Sequence, residues 1–192
     1  DVDAEVAPLE IAKVGEERWI LNELAAKKLA EQGRAVSIES RIRGAELVGK
    51  VAVAPAINRA IPILPGAFID QGRGTGIVTS VPSDAPDDFV ALRDLQRDEA
   101  VLARYHLDPE RIRAIKPVAI IRTPGWGPVP GVEIVERLGI RDQRDRERLE
   151  QAKAEVYKTG FYQGVLNENC GPYAGMRVEV ASRRSHFRAV AL

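Results

Sequence analysis

Three aspartates, Asp84, Asp87 and Asp88, fall within five positions in the stretch SDAPDD. Just before them come the hydroxyls of Thr79, Ser80 and Ser83, and before those the glycines at 72, 74 and 76. Carboxylates so spaced can do two things. With Pro86 as the first helical residue, which has no N–H to lose there, Asp87 and Asp88 occupy the next two positions. They favour the helix dipole and its open amides by about 0.3–1 kcal/mol each. Alternatively, one of them turns its charge into a pocket and holds a cation. Two details count against a helix start alone: Ala85 stands where a capping side chain is expected, and the preceding stretch presents hydroxyls on both faces.

Other chemistry is excluded more sharply. The glycines at 72, 74 and 76 complete neither a phosphate loop, which needs G-x-x-x-x-G-K-[ST], nor the dinucleotide pattern G-x-G-x-x-G. The only histidines, His106 and His186, do not stand at metal-ligand spacing from each other or from Cys170, so no zinc constellation is written here. No nucleophile–histidine–acid set is recognisable either. Lys plus Arg and Asp plus Glu both number 28, so no global basic field points to nucleic acid and any RNA contact must be local. The single cysteine cannot close an internal disulfide, and the chain has no signal peptide and no apolar run long enough to span a bilayer. A reducing, soluble compartment is expected, with no membrane partner.

The elements that must position these residues follow from punctuation and period. Trp19–Leu21 reads as a short strand. Asn22 caps a helix through ELAAKKLAEQ that stops at Gly33. Its apolar stripe is Leu24, Ala25, the Lys28 stem and Leu29. Residues 36–64 read as short strands broken by Gly44, Gly49, Pro55, Pro62 and Pro65, the rhythm of an antiparallel barrel. Residues 76–81 alternate as one more strand. From Pro86 a helix is predicted through DDFVALRDLQRDEAVLARY, burying Phe89, Leu92, Leu95, Leu102 and Tyr105. Asp108 and Pro109 start a short helix, residues 116–121 form a strand, VEIVERLG is helical, and Asp142 caps a last charged helix. With 192 residues the chain can bury roughly 70% of its unfolded surface. The expected fold is α+β: one small antiparallel β-barrel with a single core, decorated with helices.

Four stretches taken in order, GTGIVTSVPSDAPDDFVALRDL from Gly74, KPVAIIRTPGWG from Lys116, DRERLEQAKAEVYKTGFYQGVL from Asp145 and NCGPYAGMRV from Asn169, closely resemble the editing domain of archaeal and eukaryotic cytosolic leucyl-tRNA synthetases. The resemblance covers most of residues 10–180. It implies a class I synthetase insertion that hydrolyses leucine tRNA charged with the wrong amino acid, a second sieve. Such a sieve is needed because one methylene gives a pocket only about 1–3 kcal/mol of discrimination. Asp88 matches the aspartate that anchors the substrate α-ammonium in this family, and Thr79, Ser80, Val81, Pro82 and Ser83 match the pocket lining beside it. The implied hydrolysis uses neither metal nor cofactor nor protein nucleophile. Water attacks the aminoacyl ester while backbone donors and the terminal ribose hydroxyls position it.

The implied partners are the acceptor end of leucine tRNA carrying a non-cognate residue and the remainder of a parent synthetase, in the cytoplasm. Arg34, Arg41, Arg43, Arg59 and Arg73 are candidates for phosphate contact. Departures from the family bear on activity. Its threonine-rich pocket wall has no counterpart in this sequence, HIGH and KMSKS are missing, and Ala85 replaces the usual serine. The chain is therefore expected to be part of something longer, with residues 1–180 as the editing domain and 181–192 as a tail unlike the family. A non-catalytic insertion that docks tRNA, or serves structure alone, is the competing expectation.

Overall fold

A computed structural model describes residues 8–54, 59–72 and 74–184. The chain divides into two compact units, one running to Thr79 and the other from Ser80.

In the first unit β1 (Pro8–Val14) pairs antiparallel with β2 (Glu17–Leu21) across a turn at Gly15, whose φ of +62° suits glycine. Leu21 leads through Asn22 into α1 (Glu23–Glu31), and the Asn22 side chain accepts from the Ala25 N–H at 2.8 Å. The cap expected from the sequence is therefore formed, and Gly33, at φ +79°, ends the helix. The strand β3 (Val36–Arg43) returns on the other side of β1, giving the order β2-β1-β3 with a register shift at Ile11/Ala12. Ala12, Val14, Leu21, Ala25 and Ala26 form the core of this unit. Leu24, expected in the buried stripe of α1, is exposed, and Ala26 takes its place. The strands β4 (Val51–Ala54) and β5 (Arg59–Pro62) make a separate two-stranded ribbon.

The second unit is mainly helical. It contains α2 (Pro86–Leu95), α3 (Glu99–Arg104), α4 (Pro109–Arg113), β6 (Ile121–Arg122), α5 (Pro130–Arg137), α6 (Arg146–Gln163), β7 (Val165–Leu166) and α7 (Val178–Arg184). Val90 of α2, Ile134 and Val135 of α5, Ile140, and Leu149, Ala152 and Val156 of α6 bury one apolar cluster, against which Phe89 is half-buried. Leu92, Leu95 and Leu102 are buried as expected.

Several expectations are corrected. Among the described residues the strands form three small antiparallel sheets and no closed barrel, and apolar packing centres on two clusters instead of one. Residues 76–81 are not a strand. Gly74 and Gly76 adopt positive φ, and the Val81 N–H is taken by a side chain instead of a neighbouring strand. The long helix from Pro86 breaks after Leu95, because the Asp98 side chain accepts from the N–H groups of Ala100 and Val101 and starts α3 afresh. Of residues 116–121 only Ile121 is in a strand, pairing with Leu166. Asp142 binds the backbone and side chain of Arg144, and Asp145 precedes α6 instead. The helix α7 runs across position 180, where the resemblance stops.

Candidate functional site

The loop 80–85 and the first turn of α2 bring the three acids together, and each carboxylate meets a different fate. Ala85 is the extended residue before Pro86 and makes no side-chain cap. The start of α2 therefore depends on its proline and its acids.

Asp88 reaches back along the chain, and its Oδ2 accepts the Val81 N–H at 2.6 Å. The Ser80 hydroxyl bonds to it as well. Burial pushes the Asp88 carboxyl above the usual carboxylate range, and the hydrogen bonds from Val81 and Ser80 pull it back in part. Asp88 is half-buried, less enclosed than Asp84 and Asp87.

Asp87 is buried, 2.9 Å from the Lys153 Nζ on α6. Besides its place in the first turn, it therefore ties α2 to α6. Lys153 bonds Glu150 at the same time.

Asp84 is the most enclosed of the three, at 7% exposure. Its Oδ2 accepts the buried Ser83 hydroxyl, and its Oδ1 has no hydrogen-bond partner. Burial pushes its carboxyl up to about 6, against the pull of the Ser83 bond. The charges of Asp84 and Asp88 both raise the Tyr157 phenol on α6, after burial, and Asp84 also raises the Cys170 thiol, whose Sγ lies 3.3 Å from the Ile120 carbonyl.

The loop is held from behind. The Gly131 N–H donates to the Ser83 carbonyl at 2.7 Å, and a Cβ on Gly131 would stand 3.1 Å from the carbonyl oxygens of Pro82 and Ser83. Only glycine lets α5 approach this closely. Of the residues expected in the pocket, Ser80 and Val81 join Asp88, Ser83 joins Asp84, and Pro82 lies against Gly131. Thr79 is exposed and is the last residue of the first unit. Two open depressions of 540 and 690 Å³ are lined by residues such as Arg122, Asn167 and Asn169, and Arg141, Arg148 and Gln151; neither includes Asp84 or Asp88.

Among the arginines expected to meet phosphate, Arg41 and Arg43 pair with Glu10 and Glu46, Arg34 lies over the Trp19 ring, and Arg59 is exposed. Arg73 lies outside the described residues. Among the described residues no helix is long and apolar enough to cross a membrane.

The crystal structure of GlLeuRS-CP1 superposes on this chain with a TM-score of 0.78 at 32% identity, over 93% of this chain and 69% of that one. The chain belongs to the CP1 editing-domain family of leucyl-tRNA synthetases. Leucine–tRNA ligase of Aeropyrum pernix is 42% identical over 170 residues, 88% of this chain and 18% of that protein. The ligase of Archaeoglobus fulgidus is 37% identical over 182 residues, 95% and 19% of the respective chains. The chain therefore spans under a fifth of the length of these curated relatives. The P. falciparum cytosolic leucyl-tRNA synthetase editing domain shares the fold, with a TM-score of 0.78 at 24% identity over 93% of this chain and 65% of that one. No family model matches the chain.

Within this CP1 chain, sequence reasoning missed the ion pair of Asp87 with Lys153, the enclosure of Asp84 and the place of Tyr157. Lys153 stands 66 positions from Asp87 and carries no motif, so its only signal was the charged face of α6, which reads equally well as solvated.

Proposed function

We propose that this chain is the editing part of a cytoplasmic leucyl-tRNA synthetase and hydrolyses leucine tRNA that carries a non-cognate amino acid. Residues 1–180 serve as the editing domain. The observation that carries the reading is the Asp88 carboxylate, half-buried at the start of α2 and fixed by hydrogen bonds from the Val81 N–H and the Ser80 hydroxyl. There it pairs with the α-ammonium of the aminoacyl group, and Ser80, Val81 and Pro82 beside it face the side chain and ester, with Ser83 behind them. A water oxygen bonds to the ester carbonyl carbon, the bond to the ribose oxygen breaks, and that oxygen leaves with a proton. The products are the free amino acid and uncharged tRNA. The ammonium carries the charge that Asp88 needs, so substrate holds the carboxylate ionised against the effect of burial. Exposed arginines such as Arg59 meet tRNA phosphates, which makes binding salt-dependent.

The test is release of isoleucine from isoleucyl-tRNA(Leu) by this chain, compared with its Asp88→Ala variant and with leucyl-tRNA(Leu) as substrate. Release by the unaltered chain that disappears in Asp88→Ala supports the reading. Release that survives the substitution, or no release at all, refutes it.

A further inference from the structure

The last two turns of α6 carry a surface that the hydrolytic site does not use. Tyr157, Phe161 and Tyr162 are 46%, 41% and 53% exposed, and they are the exposed large aromatic side chains among the described residues. The other aromatic rings among the described residues are at least half-buried, as Phe89 and Trp126 are against the core of the second unit. Tyr157 and Phe161 are four residues apart and so share a helix face, as do Lys158 and Tyr162. Phe161 and Tyr162 meet edge to face, with centroids 5.1 Å apart and planes at 88°. In that arrangement one ring supports the other and leaves faces open to a stacking partner.

Charge is distributed unevenly along this helix. Its first part is dense in both signs, with Glu147, Glu150, Arg148 and Lys153, whereas residues 156–167 contain no acid and one cation, Lys158. Arg177 adds a second cation, because its guanidinium donates to the Tyr162 carbonyl. The Lys153–Asp87 pair lies one turn before Tyr157 and binds this helix to the residue next to Asp88. Tyr157 is thus the end of the patch nearest the carboxylates, with Lys158 and Arg177 further along.

We propose that the aromatic end of α6, formed by Tyr157, Phe161 and Tyr162 with Lys158 and Arg177, is a stacking platform for the unpaired 3′ nucleotides of the tRNA that leads to Asp88. This rests on the editing reading above. The polarity fits such a strand: an ammonium-bearing end meets carboxylates, bases lie on rings, and phosphates pass the two cations. Two cations, Lys158 and Arg177, stand beside the three rings, which suits a strand that carries a phosphate between successive bases.

The experiment measures binding of a fluorescein-labelled single-stranded RNA ending in CCA to the full chain, by anisotropy at rising salt. Phe161→Ala and Tyr157→Ala should each weaken binding about fivefold or more, and Tyr162→Phe should keep it. Lys158→Gln should reduce the salt slope by about 0.7. All these side chains are exposed, and circular dichroism checks that each variant stays folded. Binding of the alanine variants equal to that of the unaltered chain, or no binding by the unaltered chain, overturns the platform. Isoleucyl-tRNA(Leu) hydrolysis by Asp88→Ala, run alongside, separates the two readings: if it is lost while the alanine variants bind normally, the platform alone falls. Binding equal to that of the unaltered chain is also the result expected if these rings serve to dock a protein.

Discussion

Asp84 and Asp88 stand four residues apart with opposite prospects. Asp88 is half-buried and matched by donors, whereas Asp84 is enclosed with one oxygen unpartnered. The Asp84 carboxyl titrates near 6 in the folded chain, above its unfolded value of about 3.9. Between those values the folded protein keeps a proton that the unfolded chain has released, so stability falls as pH rises from about 4 through 6 and levels off above. Asp84→Asn should remove that decline and stabilise the protein by roughly 1–3 kcal/mol above pH 6. Urea unfolding at pH 4.5 and 7.5 checks this, and a variant less stable than its parent at pH 7.5 would show that the charge is needed. For Asp88 the expected outcome is different in kind. Losing one partner of a charge pair costs roughly 2–4 kcal/mol of productive binding by analogy with other partly dehydrated pairs. Asp88→Ala should then leave isoleucyl-tRNA(Leu) hydrolysis near background, with a loss of stability of only about 1–2 kcal/mol from the freed Val81 N–H and the weakened helix start, as urea unfolding would show.

The loop 80–85 owes its shape to the elements on either side. From α5, Gly131 makes the close approach, and from α6, Lys153 holds the first turn of α2 through Asp87. Gly131→Ala forces a methyl against two carbonyl oxygens and should destabilise by about 1–3 kcal/mol. Because the displaced groups are the backbone of Pro82 and Ser83, hydrolysis should fall by more than the loss of folded protein explains. Comparing single-turnover rates with the folded fraction by circular dichroism makes the distinction. Lys153→Ala leaves the buried Asp87 without its cation and should cost on the order of 1–3 kcal/mol, at the low end of buried pairs because Lys153 is itself partly exposed. The double variant Asp87→Asn with Lys153→Ala should recover part of that loss, as thermal unfolding would show.

At the scale of the whole chain, two apolar clusters with no shared residues stand in the two units. Truncation in one should therefore leave the other intact. Leu21→Ala, which removes a fully buried side chain, should cost about 2–5 kcal/mol and loosen the β2-β1-β3 sheet. Amide hydrogen exchange should rise in β1 and β3 and stay unchanged in α5 and α6, and Ile134→Ala should give the reverse pattern. Equal loosening of both units by either substitution would mean that the clusters unfold as one.

Much of this was legible in residue types. Asn22 before a helix, Asp108 before Pro109, and Pro86 followed by two acids act within one turn of themselves, and each does in the structure what local geometry dictates. The family, too, was readable, because its run of residues from Gly74 to Leu95 is specific. What local pattern misjudged needed partners at a distance. The alternation of residues 76–81 is strand-like, yet among the described residues no strand pairs with it, and the Val81 N–H went to Asp88 instead. The short Gly- and Pro-broken strands of residues 36–64 could have closed a barrel, but pairing is settled by which edges meet, and among the described residues these strands, β3, β4 and β5, lie in two separate sheets. The fate of each acid in SDAPDD was likewise decided by what packed against it: Lys153 from α6 for Asp87, the chain's own loop for Asp88, and enclosure for Asp84. Burial and partner choice are properties of packed surfaces, so they appear only once the tertiary structure exists.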